Sequence, residues 1–212
     1  MAAAARRQDL GAQRASSALL VLVAFVRAAP AKVVPILVEF LEATLRCLDP
    51  NDPALRRQTL LAVTTTLHEM VKVLPMAAFH QQSQKFVIGS RGGFVIVYDL
   101  RTASKWRVLE GHSGPVDAVA FSPDGDRLCS YSSQDGAVKL WQCGSQGFLG
   151  LDLGGLMGNS ARCLKQHDLP AIPKLSQGPP SLRAWREISI AWTESGRILL
   201  TRENAQVVTI GA

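Results

Sequence analysis

The sequence is short of what most metal-bearing, disulfide-stapled or catalytic chains require. Its four cysteines are Cys47, Cys129, Cys143 and Cys163, and no two stand at the two-residue spacing of a zinc knuckle or redox dithiol. Four in 212 residues are also too few for a disulfide scaffold, so buried free thiols in a reducing compartment are the reading. The apolar run from Ala18 to Val26 is too short to span a bilayer. Arg6, Arg7 and Arg14 ahead of it and Ala28-Ala29-Pro30-Ala31 behind give it the outline of a secretory signal. Two further apolar helices follow directly and need it as a packing partner, so a buried helix is expected. Lysine and arginine (23) exceed aspartate and glutamate (17) by 6. Arg6, Arg14, Arg27, Lys32, Arg46, Arg56, Lys72 and Lys85 never fall in a run longer than two, which describes a solvated basic surface rather than a track for phosphates.

No serine, cysteine or carboxylate pair stands out as catalytic. His68-Glu69-Met70-Val71-Lys72 begins like a zinc-protease helix, but Lys72 takes the place of the second histidine and its ammonium would repel a metal. Gly89-Ser90-Arg91-Gly92-Gly93 lacks the Lys-Ser/Thr ending of a phosphate loop and leads into a strand rather than a helix N-terminus. His80 and His167 have no partner that the sequence can supply. The expectation is therefore no catalytic residue, no cofactor and no metal site.

Residues 1–15 are expected to be disordered and residues 16–80 to be helical. From Val33 onward Leu37, Phe40, Leu41, Leu45 and Leu48 recur at three and four, with Glu39, Glu42 and Arg46 opposite. Pro35 falls in the first turn, where its missing N–H has no partner in any case. A second helix starts with Asp52 as N-cap and Pro53 at the first helical position. Its stripe is Leu60, Val63, Leu67, Val71 and Leu74, expected to pack on the helix of Phe40 and Leu41. Neither stripe can be buried alone, which is the logic of a HEAT or armadillo-type helical repeat.

The period changes near Gln82. Phe86–Gly89 and Phe94–Tyr98 flank a hairpin turn, and Lys105–Leu109, Val116–Phe121, Arg127–Ser132 and Val138–Trp141 follow at strand length. Ser122-Pro123-Asp124-Gly125 and Gln134-Asp135-Gly136 supply turns. Residues 144–160 and 170–185 read as linkers. Strand character returns at Ile188–Trp192, Arg197–Thr201 and Gln206–Ile210. Strands at this spacing describe an antiparallel all-β architecture.

Gly111-His112, Asp135-Gly136 and Trp141-Gln142, with Val119-Ala-Phe-Ser-Pro-Asp-Gly125 between them, resemble a WD repeat. The resemblance implies a structural relay of Trp141, a hydroxyl, His112 and Asp135, and a blade turn at Asp124 and Gly125. Buried indole and imidazole N–H groups need such partners. Tyr131 stands where the relay hydroxyl is expected, so Ser130 or Ser132 must serve, or the relay is incomplete. Gln142 replaces the usual terminal aspartate. Phe86–Asp99 repeats the pattern with Tyr98-Asp99 and no aspartate in its hairpin turn, so that blade lacks the relay.

A longer resemblance covers about residues 35–142. It is carried by Leu48-Asp-Pro-Asn-Asp-Pro53, Pro75-Met-Ala-Ala-Phe-His-Gln81, Tyr98-Asp-Leu-Arg-Thr102 and Lys105-Trp-Arg-Val-Leu-Glu-Gly-His112, with Arg162-Cys-Leu-Lys165 as a weaker piece. These are similar to the carboxy-terminal end of the rabconnectin beta-subunit family. That likeness implies a large cytosolic scaffold that partners the rabconnectin alpha (DMX-like) subunit. It further implies regulation of vacuolar-type proton-pump assembly or activity on the cytosolic face of vesicles or endosomes. The alternative is a basic WD-repeat adaptor associated with nucleic acid or chromatin.

The expected fold class is α+β: a HEAT/armadillo-like segment, then about three blades of an incomplete WD-repeat propeller over 83–212. A blade takes roughly 40 to 45 residues and propellers close with about four blades or more. An open fan with bare sheet faces and edges follows, poorly soluble or prone to pair with other chains.

Overall fold

A computed structural model describes residues 2–143, 163–169, 188–201 and 208–211 of the chain. The expected linkers at 144–160 and 170–185 lie outside these residues. By contact the chain divides into two compact units: residues 1–74 with 98–105, and residues 75–97 with 106–212.

The first unit is helical: α1 (Ala2–Ala28), α2 (Pro30–Val33), a 3-10 turn (Val34–Ile36), α3 (Leu37–Arg46) and α4 (Pro53–Val73). Three sequence expectations are corrected here. Residues 2–15, expected to be disordered, are the first half of α1. The helix expected to run on from Val33 is interrupted: Pro35 tightens the chain into the 3-10 turn before α3 begins. The main partner of α4 is α1 rather than the helix of Phe40 and Leu41. The two run parallel with a constant offset of 42 residues, because Ser16 Oγ reaches the Gln58 carbonyl and Arg27 Nε donates to Glu69 Oε2 at 2.8 Å. Leu19, Val23 and Val26, spaced four and three, are buried on α1.

The start of α4 follows the cap rules. Asp52 accepts from the Leu55 N–H at 2.9 Å, and Pro53 takes the first helical position. Its buried residues are Thr59, Ala62, Val63, Thr66, Leu67, Met70 and, at the edge of that face, Glu69, with Leu60 and Leu61 exposed at 47% and 78%. The expected stripe fails at Leu60, and two buried positions, Thr59 and Thr66, lie outside it. Thr66 satisfies its hydroxyl locally, donating to the Ala62 carbonyl one turn back at 2.8 Å, while the Thr59 hydroxyl lies 2.6 Å from the Cys47 carbonyl and 2.9 Å from that of Leu55. Residues 98–105 complete this unit. Arg56 Nη1 donates to the Leu48 and Arg101 carbonyls at 2.6 and 3.0 Å, and Lys105 Nζ pairs with Glu42 at 2.7 Å. Glu69 is flanked by Arg27 and Lys72, whose hydrogen bonds hold its carboxyl at about 2.

The strands are β1 (Ala77–His80), β2 (Lys85–Gly89), β3 (Phe94–Asp99), β4 (Ser104–Glu110), β5 (Ala118–Phe121), β6 (Arg127–Ser132), β7 (Ala137–Gln142), β8 (Cys163–Asp168), β9 (Ser189–Trp192), β10 (Arg197–Thr201) and β11 (Val208–Gly211). Among the described residues they form three sheets, β1-β2-β3-β4, β5-β6-β7-β8 and β11-β10-β9. The first blade is therefore whole, since residues 77–80, expected to be helical, form β1 antiparallel to β2. The second gains an outer strand, β8, that the sequence reading had not assigned.

The middle sheet buries both faces. Leu128, with Val119 and Trp141, belongs to the cluster shared with Val87, Val95, Val97 and Leu109 of the first sheet. Cys129 and Tyr131, with Ala118, Val138 and Leu140, face Ile190, Ile198, Leu200 and Ile210 of the third. The period of two along β6 accounts for the division. In the third sheet the same pairing puts Ser189, Ala191, Arg197, Leu199 and Thr209 on the opposite face. Ser189, Ala191, Arg197 and Thr209 are exposed. That face is mostly polar.

Leu67→Ala is expected to lower stability by about 2–5 kcal/mol, as for a large-to-small change in a core. Leu61→Asp, on the exposed side of the same helix, should change it by less than about 0.5 kcal/mol. Chemical denaturation of the two variants checks the face assignment.

Candidate functional site

The first strand of the middle sheet is preceded by His112, its second strand carries Ser130, the turn after that carries Asp135, and its third strand carries Trp141. The structure brings all four together. Trp141 Nε1 is 2.8 Å from Ser130 Oγ, which is 2.7 Å from His112 Nε2, and His112 Nδ1 is 2.7 Å from Asp135 Oδ2. Trp141 and Ser130 are fully buried and His112 nearly so.

Strand pairing decides which hydroxyl is used. Leu128 pairs with Trp141, and Ser130 lies two residues along β6 from Leu128, so Ser130 and Trp141 share a face. Tyr131 points to the third sheet and cannot take part. Ser132 shares the relay face but accepts the Asp135 N–H in the turn, at 3.5 Å.

The donor inventory fixes the two ends of the chain. An indole nitrogen only donates and a carboxylate only accepts. Trp141 therefore donates to Ser130, and His112 Nδ1–H donates to Asp135. With the imidazole neutral its proton sits on Nδ1 and Ser130 donates to Nε2; a charged ring would instead donate to Ser130. Burial depresses the His112 pKa, partly opposed by the neighbouring Asp135. Burial also works against ionisation of Asp135, but hydrogen bonds from Ser113 and His112 outweigh it and hold the carboxyl below its usual range. The Ser113 N–H donates to Asp135 at 3.0 Å and its hydroxyl joins the same carboxylate. Gly111 is required by packing: a Cβ there would sit 2.8 Å from the edge of the Trp141 ring.

Asp124 and Gly125 lie in the β5–β6 turn. Asp124 accepts from the Asp126 N–H at 3.0 Å and from the Ser122 hydroxyl, which lowers its pKa, the Ser122 bond contributing most. Gly125 has φ +73°, and a Cβ there would meet the His80 ring at 2.4 Å. His80 is thus a turn clamp that sequence reasoning missed: its ring nitrogens reach Ser83 Oγ (2.8 Å) and the Pro123 carbonyl (3.2 Å). Its position beside Gly125 depends on β1, so no local signal could have found it. His167 lies on β8 opposite Val138, and its Nε2 is buried with no hydrogen-bond partner among the described residues.

Ser130, His112 and Asp135 have the connectivity of a hydrolase triad. Their surroundings do not suit that chemistry, because the hydroxyl is fully buried and one lone pair is held by Trp141. A nucleophile must reach a substrate carbonyl. Among the described residues no group of three or more His, Cys, Asp or Glu could hold a metal ion. Burial pushes the Cys129 and Cys143 thiols up to about 12, which makes both inert.

The WD domain, G-beta repeat family model matches residues 104–142, the span from β4 to β7. The chain is similar to the serine-threonine kinase receptor-associated protein of Dictyostelium discoideum, 41% identical over 66 residues. The human protein of that name is 35% identical over 66 residues, and WD repeat-containing protein SL1-17 of Schistosoma mansoni 39% over 64. These matches cover 31%, 31% and 30% of this chain and 22%, 19% and 21% of the relatives. The chain thus matches about a fifth of the length of those relatives. Among solved structures, the computationally designed Ika4 protein is similar at a TM-score of 0.42 and 19% identity, over 64% of each chain. The chain carries a WD repeat, and the repeat is offset from the sheets by one strand: β4 closes the first sheet while β5 to β7 build the second.

Two measurements test the relay. His112→Ala removes the buried partner of the Ser130 hydroxyl and one donor to Asp135, and is expected to cost about 1–3 kcal/mol, read by denaturant unfolding. Acid should act through the same residue. Its folded pKa lies below the unfolded value of about 6.5, so the unfolded chain gains its proton first. The relay's stability is fully present above that pH and lost as pH falls through the folded pKa. His167 is also depressed, chiefly by burial. The fall in Tm between about pH 7 and about pH 5 should therefore shrink in both His112→Asn and His167→Gln. No change in slope for His112→Asn would mean that the imidazole is already charged.

Proposed function

We propose that this chain is a non-catalytic protein–protein interaction scaffold built on WD-repeat blades. One observation carries the reading: the chain's Ser–His–Asp constellation is turned inward and closed by Trp141, so it holds turns in place and leaves the surface to make contacts. The WD repeat and its WD-protein relatives support the same class.

The specific role comes from the resemblance over residues 35–142. In this proposal the chain binds the rabconnectin alpha (DMX-like) subunit and vacuolar-type proton-pump subunits on the cytosolic face of vesicles or endosomes. The parallel stack of α1 and α4 at a 42-residue offset supports reading the helical unit as part of a HEAT or armadillo-type array, whose period is roughly 40–47 residues.

Purified, tagged full chain should retain purified rabconnectin alpha subunit on a column, with retention little changed by raised salt. Failure to retain it would remove the specific role and leave the scaffold class standing. DNA or RNA binding that falls steeply as salt rises would replace the scaffold reading with the nucleic-acid adaptor.

A further inference from the structure

The outward face of α1 is apolar and bare. Leu20, Val21 and Phe25 are 59%, 69% and 37% exposed, and Ser17, Ala24 and Ala28 lie exposed with them. At 100° per residue these six positions make one broad stripe. A large exposed apolar stripe on a helix marks a surface that another element covers.

The 42-residue offset identifies what that element is. Adding 42 to Ser17, Leu20, Val21, Ala24, Phe25 and Ala28 gives Thr59, Ala62, Val63, Thr66, Leu67 and Met70, the buried face of α4. Three pairs are conservative: Ser17 with Thr59, Val21 with Val63, and Phe25 with Leu67. The reverse also holds. Residues Leu19, Val23 and Val26, buried on α1, map to Leu61, Thr65 and His68, of which Leu61 and His68 are exposed. Parallel helices related by translation must present opposite faces to each other, so one more step of the same translation would cover α1 as α1 helps cover α4.

We propose that the Leu20–Val21–Phe25 face of α1 docks an amphipathic helix of another helical-repeat polypeptide, running parallel to α1. This rests on the helical-repeat reading above. The incoming helix presents apolar residues at i, i+4 and i+7, as Leu19, Val23 and Val26 do toward α4. It carries acidic residues at its flanks, because the rim of the α1 face holds the exposed Arg14 and Arg27 and no Asp or Glu occurs from residue 10 to residue 38. A second copy of this chain fits poorly, since the exposed side of its α4 carries Leu61 among the polar residues Gln58, Thr65 and Lys72.

The probe is a fluorescent peptide of residues 13–29 carrying Arg14→Glu and Arg27→Glu, titrated with the full chain and followed by anisotropy. Saturable binding is expected, weakened by about tenfold or more, equivalent to about 1.4 kcal/mol, in the Val21→Asp/Phe25→Asp chain and unchanged in Leu61→Asp. All three substitutions are at exposed positions, so circular dichroism should show each variant folded. No binding, or binding indifferent to Val21→Asp/Phe25→Asp, overturns the proposal. So does a dimer of the wild type that this double variant makes monomeric, which would make a second copy the occupant. Phe25-dependent binding to phosphatidylserine vesicles would make it a lipid surface instead. A disulfide between Arg27→Cys and Glu69→Cys reports the parallel offset independently: if it forms and the peptide does not bind, docking fails while the repeat reading stands.

Discussion

The described β unit depends on a hydrogen-bond chain whose two ends have fixed polarity. It starts at a group that can only donate, the Trp141 indole, and ends at one that can only accept, the Asp135 carboxylate. With a neutral His112 the two groups between them have one arrangement. Ser130 has one proton and gives it to His112, and His112 has one proton and gives it to Asp135. Two turns and two strands are fixed relative to each other by this chain, since each of the four partners comes from a different segment. Apolar packing alone would tolerate sliding between these elements. A directional chain does not, and it fixes the ends of the blade where Ser113 and Gly111 must then fit around Asp135 and Trp141.

The same logic separates what the residues revealed from what they concealed. His112, Asp135 and Trp141 were legible because each is a costly residue to bury and their spacing matched a known pattern. Ser130 was legible only as one of two candidates. The choice needed the pairing of Leu128 with Trp141, which is a fact about register rather than sequence. The cap of α4 was legible in Asp52-Pro53 because capping is local.

What failed was non-local or disguised. β1 was missed because Ala77-Ala-Phe-His80 follows a helix and is too short to show alternation, and its identity comes from β2. β8 was missed because an outer strand is wet on one edge. Leu164 and Lys165 are exposed there, so no period of two appears. The burial of α4 was misjudged because threonine in a helix can satisfy its hydroxyl on its own backbone. In each case the deciding partner was either distant in sequence or the main chain itself.

The one-strand offset between repeat and sheet bears on how such a chain can change over generations. Residues 104–142 are the unit that sequence copies, yet they contribute to two sheets, leaving the first through β4 and entering the second through β5. A duplicated copy inserted after residue 142 would arrive with an outer strand suited to the sheet before it and none of its own. It could settle only if the next segment lent one. Lineages can therefore lengthen or shorten the fan in whole repeats, because every junction makes the same loan, while any cut falling inside a repeat leaves two neighbouring sheets each short of a strand.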